Sequence, residues 1–298
     1  MLSILIPTYN YSAFPLVQEL WNQATETGII FEIIVLDDAS NNSNTLAENT
    51  NINTLEHSRF ERNETNVGRA KNLNKLAQKA QYHWLLMMDC DTFPKSNQFI
   101  SNYLKAISED KNDIFFGGIV YDKTKPETIN LLRWKYGSNR EEIKVEDRIQ
   151  NPYSTTLTSN ILIKKEVFDS VRFDERIAEY GYEDLVFIQN LKAKKYQISH
   201  IDNPSFHLNY ETSAEFLSKT KKALETLKFI EEQQLINSVE TKIQKIYRLI
   251  EKVKLNTIIA YLFQKLHSKA EKNLLSTNPS LFVFDLYKLG YFSSIKSN

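Results

Sequence analysis

The chain has 298 residues, 37 basic against 37 acidic, with 42% hydrophobic and 12% aromatic side chains. That length accommodates one large α/β domain, or a domain of about 200 residues with an appendage, and the charge balance argues against a global nucleic-acid field. A single cysteine, Cys90, excludes an intrachain disulfide and makes the reducing cytoplasm the simplest setting.

The N-terminal "MLSILIPTYN" lacks a basic leader and its apolar run breaks at Pro7, so it reads as a first strand rather than an export signal. No run reaches the roughly 18 apolar residues a membrane span requires. Val17, Leu20, Trp21 and Ala24 then fall at helical spacing. "FEIIVLDD" gives a second strand, "RAKNLNKLAQKA" a helix, and "HWLLMMD" a third strand. These runs do not alternate strictly, so both strand faces are expected to be covered, as in a parallel sheet with crossover helices. "DIFFGGIVYD" and "SNILIKKEVF" add later strands. Between them a polar segment, Lys123 to Ser154, is expected to be mobile. From Glu211 onward only helical periodicity remains, as in Phe216, Thr220, Leu224, Leu227 and Ile230. The chain therefore divides into 1–210 and a helical extension, 211–298.

Three of the strands end in polar, chemistry-bearing residues: Pro7-Thr8-Tyr9-Asn10, Asp37-Asp38 and Asp89-Cys90-Asp91. In open α/β sheets ligands bind at the carboxyl ends of the strands, and parallel strands would bring all three tips to one edge. Two carboxylates as close as Asp89 and Asp91 repel unless a cation or proton lies between them. Mg²⁺ or Mn²⁺ would suit, since both prefer oxygen ligands and leave positions open for phosphate. An isolated Asp-x-Asp is equally what a solvated turn looks like. Alternation along an extended segment turns Cys90 back toward the core.

"SILIPTYN", "IIVLDDAS", "NVGRAKNLN", "LLMMDCDTFP" and "YGYEDLVF" occur in the order found in inverting GT-A glycosyltransferases of family 2, and residues 1 to 210 resemble that family. The last motif also resembles the acceptor-side motif of the galactosyltransferase and chondroitin-polymerase type. The resemblance implies a GT-A, Rossmann-like mixed α/β sheet flanked by helices, with the helical extension added. It implies a nucleotide-sugar donor, UDP-sugar favoured, a glycan or glycolipid acceptor, and Mn²⁺ or Mg²⁺ as cofactor. Pro7, Tyr9, Asp38, Asn66, Arg69, Lys71 and Asp89 would line the nucleotide sugar. Asp91 and His207, in "NPSFHLNY", would hold the metal. Asp184 would be the general base that deprotonates the acceptor hydroxyl, with Glu183 and Trp134 on the acceptor side. Relatives usually carry Arg-Asn where this chain has Leu73-Asn74, which bears on base specificity.

From Thr241 to Lys272 basic residues outnumber acids among Ile, Leu, Tyr and Phe at helical spacing, and "PSLFVFDLYKLGYF" adds aromatics. Such helices lie on an anionic membrane surface, or pack on the catalytic domain or a second subunit. Other readings are a haloacid-dehalogenase-type phosphotransferase, a glycoside hydrolase and a non-catalytic sugar-nucleotide or glycan binding module. The first expects Thr or Val where Phe93 stands and the motif on its first strand; the second leaves "PTYN" and "LDD" without a task.

Overall fold

The computed structural model describes residues 1–208, 211–236 and 241–295, so the boundary expected at 210 itself lies outside the described residues. In chain order the first elements are β1 (Leu2–Thr8), α1 (Phe14–Thr27), β2 (Phe31–Asp37), α2 (Ser43–Thr50), β3 (Ser58–Arg62), α3 (Arg69–Lys79) and β4 (Trp84–Met88). They are followed by β5 (Thr92–Pro94), α4 (Phe99–Glu109), β6 (Ile114–Phe116), β7 (Ile119–Val120), α5 (Leu131–Tyr136), α6 (Val145–Gln150) and α7 (Pro152–Thr155). Next come β8 (Asn160–Lys164), α8 (Lys165–Val171), α9 (Glu183–Ala193), β9 (Ser199–His200) and β10 (Ser205–His207). Four helices close the chain: α10 (Ser213–Glu232), α11 (Lys242–Lys252), α12 (Asn256–Leu274) and α13 (Leu281–Ser294).

The chain separates into two compact units. The first comprises Met1–Asp122, Glu141–Ala178 and Glu183–Leu208; the second comprises Lys123–Arg140, Glu179–Tyr182 and Asn209–Asn298.

A mixed seven-stranded sheet ordered β3-β2-β1-β4-β8-β6-β9 runs through the first unit. β3, β2, β1 and β4 are parallel neighbours, while β8 lies antiparallel to both β4 and β6. The continuous apolar runs have the expected cause. Leu2, Ile4, Ile6, Ile33, Val35, Leu86 and Met88 enter one core, against Leu16, Val17 and Leu20 of α1 and Phe99 and Tyr103 of α4. Leu5, Ile34, Leu36, Leu85 and Met87 enter the other, against Leu73 and Leu76 of α3, Phe168 of α8 and Phe187 of α9. Each such side chain contributes about 1.5–3 kcal/mol on burial, so the two cores fix the register of the central strands. A second sheet, ordered β5-β10-β7, is small.

The Lys123 to Ser154 segment is not irregular. It forms short helices and buries Leu131, Leu132 and Arg148. Arg148 is held because its guanidinium donates to the carbonyls of Phe116 (3.2 Å), Gly117 (3.2 Å) and Ile201 (2.9 Å), where the sheet breaks between β6 and β7.

In the second unit, α12 and α13 form a hairpin whose Leu274, Phe284 and Tyr287 pack with Leu132 of α5 and Leu217 of α10. Leu224, Leu227, Tyr247 and Phe292 make a neighbouring cluster. Capping boxes at Thr212/Glu215 and Thr241/Gln244 start α10 and α11. Glu179–Tyr182 is pinned to α10: Thr226 Oγ1 donates to the Tyr180 carbonyl at 3.0 Å, and a Cβ at Gly181 would meet Ala223 at 2.6 Å.

His200 in the first unit lies edge-on to Phe116, with Thr156 Oγ1 3.3 Å from its Nε2. Burial, reinforced by the Arg148 charge, depresses its pKa from 6.5 to about 4. The fold accepts the neutral ring, so its contribution to stability is complete above the unfolded value of 6.5 and is lost as pH falls toward 4. Thermal melts at pH 7 and about pH 4.5 should show a larger loss in the wild type than in His200→Gln. Equal losses would refute this role.

Candidate functional site

Everything described in this site belongs to the first unit, except where stated. β1 and β2 end in register, with Thr8 opposite Asp37, and the Asp38 N–H donates to the Thr8 carbonyl at 2.9 Å. Asp37 is fully buried and accepts from the Ser40 N–H (2.9 Å) and Arg62 Nε (3.1 Å), which closes the turn after β2. Asp38, also buried, accepts from Asn63 Nδ2 at 3.0 Å, the Val67 N–H at 2.9 Å and the Gly68 N–H at 2.9 Å. A carboxylate has about four acceptor positions, so three of those at Asp38 are already engaged by the loop that leads into α3.

Gly68 is required there. Its φ is +84°, and a Cβ would meet the Ala178 carbonyl oxygen at 2.7 Å. Arg69 follows at the first position of α3, and its guanidinium forms the hub of the site. One terminal nitrogen donates to Asp184 Oδ1 (2.6 Å) and Glu183 Oε1 (3.1 Å). The other donates to Asp89 Oδ1 (2.7 Å) and Thr158 Oγ1 (3.1 Å). Thr158 in turn donates to Asp184 Oδ1 at 2.5 Å. Among the described residues, Asp184 Oδ2 receives only a long contact, 3.4 Å, from the Thr158 N–H.

Electrostatics here are a contest between burial and pairing. Burial disfavours the Arg69 charge, but Asp184, Asp89 and Glu183 outweigh it and hold the guanidinium firmly protonated. Burial pushes Asp89 up from its ordinary value, against the pull of Arg69 and with Asp91 as a further like charge. It pushes Glu183 up in the same way, with Asp184 adding repulsion. One guanidinium faces several carboxylates, so the region favours an additional cation.

Asp91 lies past the turn after β4, where the Thr92 N–H (3.1 Å) and Oγ1 (2.8 Å) both return to the Asp89 carbonyl. β5 then pairs with β10, His207 opposite Thr92, and the Leu208 N–H donates to the Asp91 carbonyl at 2.7 Å. Asp91 Oδ2 and His207 Nε2 stand 3.7 Å apart, and the His207 ring stacks on Tyr121 with centroids 5.5 Å apart. Two ligands each about 2.1 Å from one ion lie within about 4.2 Å of each other, so this pair fits a shared divalent cation. Among the described residues no third His, Cys, Asp or Glu completes the set. The remaining positions suit phosphate oxygens. Cys90 packs against the core, its thiol pushed up by burial and by Asp91.

Of the other sequence candidates, Pro7 is buried within β1, while Tyr9 is 51% exposed just beyond it. Asn66 and Lys71 are exposed, and Asn66 Oδ1 accepts from the Gly68 N–H at 3.2 Å. Trp134 lies half-buried on α5, in the second unit. Arg69, expected to reach the nucleotide, is engaged with Asp89, Glu183 and Asp184. Thr158 was not legible as a site residue: the hydroxyl-rich "TTLTSN" before β8 carries no distinguishing signal.

Residues 3–172, more than half the chain, match the model of glycosyl transferase family 2. The chain belongs to that family. The chain is similar in fold to Staphylococcus aureus TarS, at 18% identity and a TM-score of 0.50 over 89% of this chain and 43% of that one. It therefore spans less than half of the TarS chain. Against TarS 1–349 the identity is 18% and the TM-score 0.51, covering 98% of this chain and 89% of that one. A mannosyltransferase from Pyrobaculum calidifontis, PcManGT, in complex with GDP-Man and Mn²⁺, gives 12% identity and a TM-score of 0.57, covering 98% and 85%. No curated protein sequence matches significantly.

Gly68→Ala tests the loop that presents Arg69. The added methyl meets backbone at a positive φ, so the protein should lose about 2–4 kcal/mol of stability. Denaturant unfolding would measure it; a loss under about 0.5 kcal/mol would mean the loop relaxes freely.

Proposed function

We propose that the chain is an inverting, divalent-metal-dependent glycosyltransferase. In this reading it moves a hexose or N-acetylhexosamine from a nucleotide diphosphate sugar, UDP favoured, to a glycan hydroxyl. Surface polysaccharide or lipid-linked glycan synthesis would be its setting. The observation that carries the reading is the Arg69 hub, which brings Asp89 of the strand-end Asp-x-Asp together with Glu183 and Asp184 at the start of α9. Donor-side and acceptor-side carboxylates thereby meet around one guanidinium. Likeness to the mannosyltransferase solved with GDP-Man and Mn²⁺ supports the donor class. The preference for UDP rests on the motif resemblance.

In this mechanism Asp184 is the general base. Its Oδ1 is committed to Arg69 and Thr158, which fixes the carboxylate plane. Oδ2 is the oxygen left to take the acceptor proton as the new C1–O bond forms. Displacement of the diphosphate from the opposite face then inverts the anomeric centre. Thr158 acts through Asp184 as a positioning residue, and Glu183 would bind a second acceptor hydroxyl. Tyr9 would stack on the base, with Pro7, Asp38, Asn66, Arg69, Lys71 and Asp89 around the donor. Asp91 and His207 would hold Mn²⁺ or Mg²⁺, which when bound neutralises the departing diphosphate as a Lewis acid.

Asp184→Asn should lower kcat by about 10²–10⁴-fold while nucleotide and metal binding persist. Thr158→Val should cost about 10–100-fold in kcat, the worth of one hydrogen bond to a charged group, and Thr158→Ser should restore most of it. Unchanged turnover in Asp184→Asn would remove Asp184 as the base.

A separate experiment addresses the donor. With Mn²⁺ present, the preferred nucleoside diphosphate at about a hundred times its Kd should add about 2.7 kcal/mol of stability. The thermal shift should vanish in Asp91→Ala. A shift that survives that substitution would exclude Asp91 as a metal ligand.

A further inference from the structure

Within the second unit, α11 and α12 bury one face each, through Gln244 and Tyr247 on the first and Phe263, Ala270 and Leu274 on the second. Their other faces are apolar too. Ile246, Leu249 and Val253 are 47%, 64% and 62% exposed, and Ile258, Leu262 and Leu266 are 52%, 47% and 48% exposed. On each helix these residues recur every three or four positions, so they form a stripe on a single side. Leucines and isoleucines scattered singly over a surface need no explanation; a stripe along two consecutive helices does.

The charge beside the stripe narrows the choice of partner. Residues 242–272 hold eight Lys or Arg against two Glu. One of those acids, Glu271, is already paired with Lys221 and accepts from the Tyr287 hydroxyl. Helical spacing places Lys242 in line with the α11 stripe and Lys245 at its edge, and Lys269 in line with the α12 stripe and Lys265 at its edge. All four are exposed, and the Lys265 ammonium lies over the exposed Tyr261 ring at 5.6 Å from its centroid.

We infer that α11 and α12 form a docking surface for an anionic lipid bilayer, the stripe entering the acyl boundary and the lysines meeting the headgroups. No helix among the described residues is long and apolar enough to cross a membrane, so contact of this kind lies in the interfacial plane. A second copy of the chain fits less well, because an isologous contact sets the same positive fringe against itself. A nucleic acid would satisfy the lysines but leave the apolar stripe facing phosphate. The inference does not depend on the proposed transfer chemistry.

The test uses the full chain in flotation with vesicles of phosphatidylcholine alone, or with about one-third phosphatidylglycerol. Binding to the anionic vesicles should be at least about ten-fold stronger and should weaken with salt. The double substitutions Leu249→Glu/Leu262→Glu and Lys242→Glu/Lys245→Glu should each weaken it by about ten-fold or more, with melting temperatures close to wild type because these positions are exposed. Absence of flotation, equal flotation with both vesicle types, or flotation indifferent to the leucine pair would each overturn the inference. Concentration-dependent dimerisation abolished by the leucine pair, seen in sedimentation velocity, would assign the face to a second copy and overturn it as well.

Discussion

A single guanidinium organises the first unit at its chemical edge. Arg69 begins α3, yet its bonds reach the end of β4 at Asp89, the run before β8 at Thr158, and the start of α9 at Glu183 and Asp184. These segments come from separate elements, and the three carboxylates among them would bear uncompensated charge without it. Burying a charge is expensive unless it is paired and hydrogen-bonded. Arg69 meets that requirement with a planar fork that engages acceptors on both terminal nitrogens, which a lysine point charge cannot reproduce. The cost falls on the acids: burial, only partly offset by a cation that several carboxylates share, pushes Asp89 and Glu183 above their ordinary values.

The placement of Arg69 is itself built from the sheet. β1 and β2 pair in register through their buried apolar residues, which fixes the turn carrying Asp37 and Asp38. Asp38 then fastens the Val67 and Gly68 amides, and Gly68 alone tolerates the approach of Ala178. Hydrophobic register thus becomes the position of a charge in three steps: strand end, loop clamp, helix start. Asp38 serves this chain of support directly, since most of its acceptor capacity is spent on the loop.

Much of this architecture could be read from the sequence because apolar runs report burial. β1, β2, β4 and β8 stand out as apolar runs, and the helices α1 and α3 and the all-helical region beyond Glu211 by their period. β3 does not: "SRFER" is polar, and its place at the sheet edge depends on ion pairs, Arg59 to Glu32 at 2.7 Å and Arg62 to Asp37 at 3.1 Å. β5, β9 and β10 are too short for any period to register. The candidate site divides in the same manner. Asp38, Asp89 and Asp91 were visible because each ends an apolar strand, and Glu183-Asp184 because the pair opens an apolar helix. Thr158 and the hub role of Arg69 depend on pairings between separate elements, the bond joining the two residues spanning 89 positions, which no local pattern encodes. The segment 123–154 looked loose for a related reason. Its part within the first unit is ordered by Arg148 binding three carbonyls elsewhere in that unit, and its part within the second by Leu132 packing against Leu217 and Phe284; composition does not report such contacts.

Two aspartates separated by one residue repel, and the structure answers that repulsion by turning them to different neighbours. Asp89 is committed to Arg69 at 2.7 Å; Asp91 faces His207 at 3.7 Å, across the pairing of β5 with β10. The turn that separates them is fixed by Thr92, whose N–H and hydroxyl both bind the Asp89 carbonyl. Each carboxylate thus has its own electrostatic task. In the proposed reaction a diphosphate arrives carrying further negative charge, and Arg69, already shared among Asp89, Glu183 and Asp184, has little left to neutralise it. The Asp91–His207 pair is where a divalent ion would restore the balance. Asp184 would meanwhile remain held by Arg69 and Thr158 with one oxygen turned to the acceptor. In that reading the two demands of glycosyl transfer would fall to different carboxylates, charge neutralisation at the leaving group to Asp91 with His207 and proton removal at the nucleophile to Asp184. Asp89 would tie the strand end to the helix start through Arg69.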